Sequence, residues 1–158
     1  YKYITLQDIY KHLSISQCII FVNTKHSAEE LAKNLQVDGH SVSVLHGAMD
    51  SKERHTILKN FRIGTSRVLI TTDVLSRGID IQQIGIVINY EMPRDKAQYI
   101  HRIGRSGRYK KVGIALNFIT NKDKKQIYEL EKFYNITIDN MPTFDIINRQ
   151  LSGIIDKV

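Results

Sequence analysis

The chain contains an octamer of arginines and glycines, residues 101–108 (HRIGRSGR), whose composition favours the binding of a polyanion. Its three arginines, Arg102, Arg105 and Arg108, fall within seven residues beside a Gly-x-x-Gly frame. Guanidinium groups repel one another and each glycine lowers helix propensity by about 1 kcal/mol, so the octamer is a poor structural turn. It suits phosphates, because an arginine binds phosphate oxygens bidentately and keeps its charge. A solvated basic turn after a helix is the alternative for the octamer taken alone.

Three further polar clusters follow apolar segments of strand-like sequence. They are residues 23–25 (NTK), residues 46–47 (HG) and residues 71–73 (TTD), the last of which runs on to residues 77–80 (RGID). Ligands of open α/β sheets bind beyond the carboxyl ends of the strands. The clusters and the octamer are therefore predicted to lie on one functional face.

Strands and helices alternate along the predicted secondary structure. The predicted strands are short apolar segments at residues 18–22, 41–45, 67–71, 86–90 and 114–120. The first is continuously apolar, as a central strand covered on both faces should be. The predicted helices follow start signals or apolar residues at helical spacing, and they begin near Thr5, Ser27, Asp50, Asp95, Lys122 and Pro142. This alternation predicts a single α/β domain over residues 1–158, with a mostly parallel sheet covered by helices on both faces.

The positive charge of the chain is concentrated in its middle. The 158 residues carry 23 Lys and Arg against 16 Asp and Glu, a net charge of +7. Residues 52–111 hold 13 of the Lys and Arg and 5 of the Asp and Glu, a net charge of +8, so the remainder is at −1. A localised basic region is typical of a phosphate-binding face. The hydrophobic fraction of 42% is enough for one core.

Composition also bears on compartment, metal and membrane. A single cysteine, Cys18, lies in an apolar segment, which excludes an internal disulfide and favours a reducing intracellular compartment, cytoplasmic or nuclear. The six histidines show no zinc-like spacing, so no metal site is expected on this chain. No apolar run of about 18 residues occurs, so no membrane span is expected. Because the chain begins at Tyr1, we expect it to be an excised piece of a longer protein.

The clusters resemble, in order and spacing, the sequence motifs of DEAD-box RNA helicases. Residues 19–24 resemble motif IV, residues 52–54 resemble the region of motif IVa, residues 71–80 resemble motif V, and the octamer resembles motif VI. The resemblance covers residues 3–142 and is to the second, C-terminal RecA-like domain, within the branch of eukaryotic initiation factor four-A. It implies a RecA-like three-layer sandwich. Glu91, where that branch usually has Asp, departs from the pattern.

The resemblance implies a role for each cluster. Arg105 and Arg108 correspond to arginine fingers, which stabilise the transferred phosphoryl group of ATP. Other residues implied to bind the nucleotide are Asp80, which would contact the ATP ribose, Gly78 and Tyr109. Residues implied to contact the RNA backbone are Thr24, Lys25, Gly47, Arg54, Thr72 and Gly78. Residues implied to contact the other domain are Arg77 and His101.

Several of these residues also have an ordinary structural interpretation. Asp80 could cap a helix, and Tyr109 and His101 could belong to the core. The hydroxyls of Thr24 and Thr72 could cap their neighbours at strand ends. If they do contact RNA, hydroxyls, helix-start N–H groups and a few cations hold phosphates without reading bases, so binding is expected to be independent of base sequence.

The part of such an enzyme that holds the triphosphate is missing from this chain. It has no Gly-x-x-x-x-Gly-Lys-[Ser/Thr] loop, no Asp-Glu-Ala-Asp and no Gln motif. Mg²⁺ and the triphosphate of ATP are therefore expected to be held by an N-terminal RecA-like domain, and the isolated chain is expected to be inactive. The complete protein is expected to be an ATP-dependent RNA helicase that separates short duplexes locally, in translation initiation or RNA processing, together with regulating protein partners.

Two rival functions stay open on the sequence. The first is another superfamily-two motor, such as a DNA translocase or a DEAH-type helicase, but those groups tend to place Gln where motif VI here opens with His101. The second is a non-catalytic module that binds RNA or protein on a helicase-like fold. The presence of Arg105 and Arg108 together with Asp80 disfavours that module.

Overall fold

The computed structural model describes residues 1–73, 84–104 and 113–152, and strands and helices alternate through these ranges. The strands are β1 (Cys18–Phe21), β2 (Val42–Leu45), β3 (Val68–Thr71), β4 (Ile86–Asn89) and β5 (Ile114–Asn117). The helices are α1 (Lys2–His12), α2 (Lys25–Val37), α3 (Ser51–Arg62), α4 (Lys96–Ile103), α5 (Lys124–Tyr134) and α6 (Phe144–Leu151), and a 3₁₀ turn at Asn121–Asp123 precedes α5.

The described strands form one sheet in the order β2-β3-β1-β4-β5, and each pairing is parallel. The parallel sheet predicted from the sequence is confirmed, as is the central position of the first strand. The register aligns the last residues of the strands, which across the sheet are Leu45, Thr71, Phe21, Asn89 and Asn117. The segments that follow the strands thus leave from one edge, which we call the carboxyl rim.

Apolar side chains cover the sheet on both faces. On one face, Ile20 of β1 packs in a cluster with side chains of α1, α2 and α6. On the opposite face, Ile19 and Phe21 pack with Leu58 and Phe61 of α3. Alternate residues of one strand therefore belong to different clusters, which confirms the prediction of a sheet covered on both sides.

Two predicted helix starts are wrong. α1 begins at Lys2, so Thr5 lies inside the helix, where its hydroxyl donates to the carbonyl of Tyr1 at 3.1 Å. α2 begins two residues before Ser27, and its N-cap is Thr24, whose Oγ1 accepts from the Ser27 N–H at 3.1 Å. Both residues favour helix starts, and the earlier one has the required extended backbone.

Other local signals are confirmed. Asp50 caps α3 by accepting from the N–H of Glu53 at 2.8 Å. Gly39 and Gly64 follow α2 and α3 with φ of +92° and +83°, a left-handed conformation that glycine adopts without steric cost. These boundaries come from local chemistry alone, which is why the sequence predicts them.

The single cysteine is part of the core. Cys18 is fully buried, and burial raises the pKa of its thiol to about 12, against a smaller lowering by the Tyr10 hydroxyl, which donates to Sγ at 3.4 Å. A thiol that stays protonated at neutral pH is a poor nucleophile, so Cys18 serves packing. No helix among the described residues is long and apolar enough to cross a membrane.

Candidate functional site

The carboxyl rim brings three of the predicted RNA contacts into one row. Gly47, Thr72 and Thr24 follow β2, β3 and β1, which are neighbours in the sheet. Strands in a sheet lie about 4.8 Å apart, so the row extends over roughly 10 Å. α2 and α3 both begin at this rim, and their free N–H groups and helix dipoles favour an anion there.

Thr24 and Lys25 form the β1 end of the row. Both residues are exposed, and the Thr24 hydroxyl caps α2, which is the structural role that the sequence left open for it. The Lys25 ammonium lies 4.0 Å from Glu29 Oε1 one turn along the helix. A pair this exposed is weak, so the lysine can turn toward a phosphate at little cost.

Gly47 and Arg54 form the β2 end. Arg54 Nη2 donates to the carbonyl of Gly47 at 2.9 Å, and this contact ties the first turns of α3 to the loop after β2. A Cβ built on Gly47 would meet no atom within 4 Å, so the space over this glycine is open to a ligand backbone. Arg54 is only half-buried, and part of its guanidinium supports the loop instead of facing solvent.

Thr72 lies between these two ends. Its N–H donates to the carbonyl of Leu45 at 3.3 Å, which extends the ladder between β3 and β2 by one residue. Its carbonyl accepts from the hydroxyl of Thr71 at 2.9 Å, and the residue is half-buried. The backbone of Thr72 is thus fixed at the centre of the row.

Arg102 is the most connected polar side chain of the rim. It is fully buried, and its Nε and Nη2 bind the two carboxylate oxygens of Asp73 at 2.6 and 3.0 Å. The same guanidinium donates to Asn23 Oδ1 at 2.8 Å, to the carbonyl of Glu91 at 2.6 Å and, more weakly, to Asn89 Oδ1 at 3.4 Å. One arginine on α4 therefore joins the ends of β1, β3 and β4.

This use of Arg102 corrects the interpretation of the octamer. The sequence grouped Arg102 with Arg105 and Arg108 as one set of ligands for a polyanion. The structure shows that Arg102 is satisfied inside the protein, where five donors in a planar fork match a carboxylate and several carbonyl oxygens. The signal was present, because Arg102 lies three residues after buried Tyr99 on the same helical face.

Asn23 and Glu91 extend the network toward α2. The N–H of Asn23 donates to Glu91 Oε1 at 2.8 Å, and Asn23 Nδ2 donates to the carbonyl of Met92 at 2.9 Å. Glu91 Oε2 accepts from the Ser27 hydroxyl at 3.3 Å. The two oxygens of this carboxylate thus bridge the end of β1 and the first turn of α2, beside the predicted RNA contact Thr24.

The remaining predicted residues fall into two groups. His101 is exposed on α4, so the alternative that placed it in the core is wrong. Six others lie outside the described residues and stay sequence-based predictions: Arg77, Gly78, Asp80, Arg105, Arg108 and Tyr109. Among the described residues, no three His, Cys, Asp or Glu side chains gather as a metal site would require.

Comparisons with known proteins agree on one class. The model of the helicase conserved C-terminal domain matches residues 1–110. The chain is 49% identical over 143 residues to the ATP-dependent RNA helicase eIF4A of Kluyveromyces lactis, a match that covers 90% of this chain and 36% of the relative. The chain therefore spans about a third of the length of this relative.

Solved structures show the same fold. The C-terminal domain of the DEAD-box protein Dbp5 is 40% identical and has a TM-score of 0.80, with 99% of this chain and 91% of that domain covered. Saccharomyces cerevisiae Dbp5 bound to RNA and ADP BeF3 is 39% identical with a TM-score of 0.84, and the match covers 95% of this chain and 42% of Dbp5. The predicted RecA-like, three-layer fold is confirmed.

Proposed function

This chain belongs to the DEAD-box family of RNA helicases as a helicase C-terminal domain, and from that premise we propose how its residues act. In the complete protein, the carboxyl rim binds the RNA backbone, and the segment after α4 supplies arginine fingers to ATP held mainly by an N-terminal domain. ATP and RNA together close the two domains, and closure separates a short duplex. The setting is translation initiation, after which relatives are named, or RNA processing as the alternative.

The observation that carries the RNA part is the row of Gly47, Thr72 and Thr24 on three adjacent strand ends. Two helix N-termini flank the row, and the exposed Lys25 adds a cation beside it. Backbone N–H groups, hydroxyls and cations position phosphates but carry no information about bases. RNA binding is therefore independent of base sequence. The RNA backbone runs along the carboxyl rim, past the ends of β2, β3 and β1.

The nucleotide part rests on where two chain segments leave the rim. Residues 74–83 follow Asp73, residues 105–112 follow α4, and Arg102 of α4 is bonded to Asp73. The two segments that carry Asp80 and Arg105 thus begin near residues that are in contact, which supports a nucleotide site shared between them. We place Mg²⁺ and the triphosphate on the N-terminal domain, because this chain has no Gly-x-x-x-x-Gly-Lys-[Ser/Thr] loop and no Asp-Glu-Ala-Asp.

Arg105 and Arg108 would act in the transition state. When ATP is bound, its transferred phosphoryl group spreads negative charge over three oxygens, and a guanidinium from a second domain stabilises that charge by roughly 10³–10⁵ in rate. Since the arginines and the triphosphate ligands lie on different domains, turnover depends on closure and thus on RNA. The isolated chain should be inactive.

The test is RNA-stimulated ATP turnover by the complete protein with Arg105→Ala or Arg108→Ala. Each substitution should lower kcat by at least about 10²-fold and leave ATP affinity within about one order of magnitude, because a finger acts chiefly in the transition state. The control is Arg67→Ala, an exposed arginine at the amino end of β3 that donates to the Ser16 carbonyl.

Three outcomes have distinct meanings. Normal turnover in both finger variants would contradict the catalytic role and would favour the non-catalytic interaction module. Equal losses in ATP binding and turnover would replace the finger by a ground-state phosphate clamp. A loss in Arg67→Ala of the same size would show that any arginine substitution impairs the fold.

A further inference from the structure

His46 is a buried polar side chain for which the RNA row alone gives no role. It directly precedes Gly47, and its side chain is 8% exposed. Buried polar groups are expensive unless they are hydrogen-bonded, so the partners of this ring indicate what it does.

Each ring nitrogen of His46 faces a different element of the rim. Nδ1 accepts from the N–H of Ala48 at 3.2 Å, so this nitrogen carries no proton and the ring proton lies on Nε2. Nε2 points to Glu29 Oε1 on α2, at 3.7 Å. The ring therefore spans from the loop after β2 to the second turn of α2.

The first contact shapes the loop. A side-chain acceptor that binds the N–H two residues further on closes a turn, as Asn and Asp do in Asx turns. The carbonyl of His46 also accepts from the N–H of Met49 at 3.3 Å, and Arg54 holds the Gly47 carbonyl. The conformation of the loop around Gly47 is thus fixed by the buried His46 on one side and by the half-buried Arg54 on the other.

The second contact links the two ends of the row. Glu29 Oε1, which faces His46, is also the oxygen 4.0 Å from the Lys25 ammonium. Gly47 and Lys25 belong to opposite ends of the row, and α2 packs against both β2 and β3. One imidazole and one carboxylate therefore connect the loop at the β2 end of the row to α2, the helix that begins at the β1 end.

We propose that His46 is a positioning residue for RNA binding, which holds the Gly47 loop and α2 in the arrangement that receives the phosphates. The inference rests on the proposed RNA function of the rim, and it assigns the role to the Nδ1 acceptor. A histidine that merely fills the core would act through its volume instead, and this difference can be tested.

The experiment uses two pairs of variants of similar size that differ in the acceptor. His46→Asn and His46→Ser offer an oxygen to the Ala48 N–H, whereas His46→Leu and His46→Ala offer none. The complete protein is titrated with a fluorescent poly-U oligonucleotide in the presence of a non-hydrolysable ATP analogue. The midpoint of thermal unfolding, Tm, is recorded for every variant.

A positioning role and a packing role of His46 predict opposite orders of RNA affinity within each pair of variants. Under the proposal, His46→Asn binds RNA roughly 3- to 10-fold more tightly than His46→Leu, the worth of one buried hydrogen bond, and His46→Ser binds more tightly than His46→Ala. The apolar leucine should still have the higher Tm of its pair. If His46→Leu fails to fold, the Ser and Ala pair carries the comparison.

Equal RNA affinities within both pairs, or affinities that simply follow Tm, would overturn the inference and leave the proposed function standing. Wild-type protein that binds no RNA with nucleotide present would overturn the proposed function, and this inference with it.

Discussion

Arg102 shows how one residue can convert separate strand ends into a rigid edge. All three of its guanidinium nitrogens donate to partners in the segments that follow β1, β3 and β4. Burial removes water as a competitor, so these bonds are stronger than on the surface, and loss of Asp73 would leave a buried charge without its counter-charge. The arginine therefore holds three strand ends together.

Asp73→Ala should destabilise the protein by roughly 3–5 kcal/mol, because it leaves the fully buried Arg102 without its counter-charge. Asp73→Asn should cost less, since the amide keeps one acceptor oxygen. Urea unfolding followed by circular dichroism measures both. The control is Asp139→Ala at an exposed position, which should stay within about 0.5 kcal/mol. A loss for Asp73→Ala no larger than for this control would contradict the account of the network.

For single residues, the sequence predicts the chemistry of a side chain better than it predicts which groups the side chain contacts. It placed Gly47, Thr72 and Thr24 at strand ends, and the sheet brings them together. It could not separate Arg102 from Arg105 by composition, because the same guanidinium serves a carboxylate inside the protein and a phosphate outside it. Only the helical face shared with Tyr99 distinguishes the two, and that signal is local.

Helices show where local signals compete with tertiary contacts. Asp50 caps α3 as predicted, and Asp95 caps α4 at the predicted start of that helix; each accepts from the backbone N–H three residues on. At α2 two good capping residues stand three apart, and Thr24 takes the N-cap while the Ser27 side chain binds Glu91. Propensity cannot rank the two, because Glu91 is distant in sequence.

α6 tests how far an amphipathic pattern predicts packing. The sequence predicts a helix after Pro142, and the structure confirms one at Phe144–Leu151. Two adjacent isoleucines differ completely: Ile147 is 1% exposed in the core, and Ile146 is 45% exposed. Two hydrogen bonds of Asn148, to the Ser14 N–H at 2.8 Å and the His12 carbonyl at 3.0 Å, fix the register.

Ile147→Ala should lower the free energy of unfolding by about 2–5 kcal/mol, as large-to-small changes in a core do. Ile146→Ala is the matched control on the same helix, and it should change stability by less than about 0.5 kcal/mol. Chemical denaturation of both variants decides the matter. Similar losses would mean that α6 is held by its polar contacts instead of its apolar face.

For the whole molecule, the sequence predicts the distribution of charge along the chain but not the order of the strands in the sheet. Alternating strands and helices predict a parallel sheet, but they do not fix the order β2-β3-β1-β4-β5, since that depends on which strand each crossover reaches. The concentration of charge within residues 52–111 is visible in sequence because it needs no geometry.

RNA binding by the complete protein should weaken steeply with salt and hardly vary with base sequence. Each phosphate neutralised on a single strand adds about 0.7 to the slope of log K against log salt. Arg54→Ala should flatten that slope by about this amount for poly-U and mixed sequences alike. Because Arg54 also holds the Gly47 carbonyl, part of the loss should persist at high salt.

Lys59→Ala, an exposed lysine in the last turn of the same helix, is the control, and its slope should match the wild type. Fluorescence titrations at several salt concentrations give both slopes. An unchanged slope in Arg54→Ala would mean that RNA passes elsewhere on the rim. A loss confined to one sequence would mean that Arg54 reads a base.

The contact between Ser14 and Asn148 can form only late in the synthesis of the chain. The partners are 134 residues apart, and a ribosome adding 5–20 residues per second needs roughly 7 to 27 seconds between them. Until α6 emerges, the core formed by α1 and the sheet lacks Ile147 and leaves apolar surface uncovered. A nascent chain stalled before residue 144 should therefore remain a client of chaperones, although the five described strands have already been made.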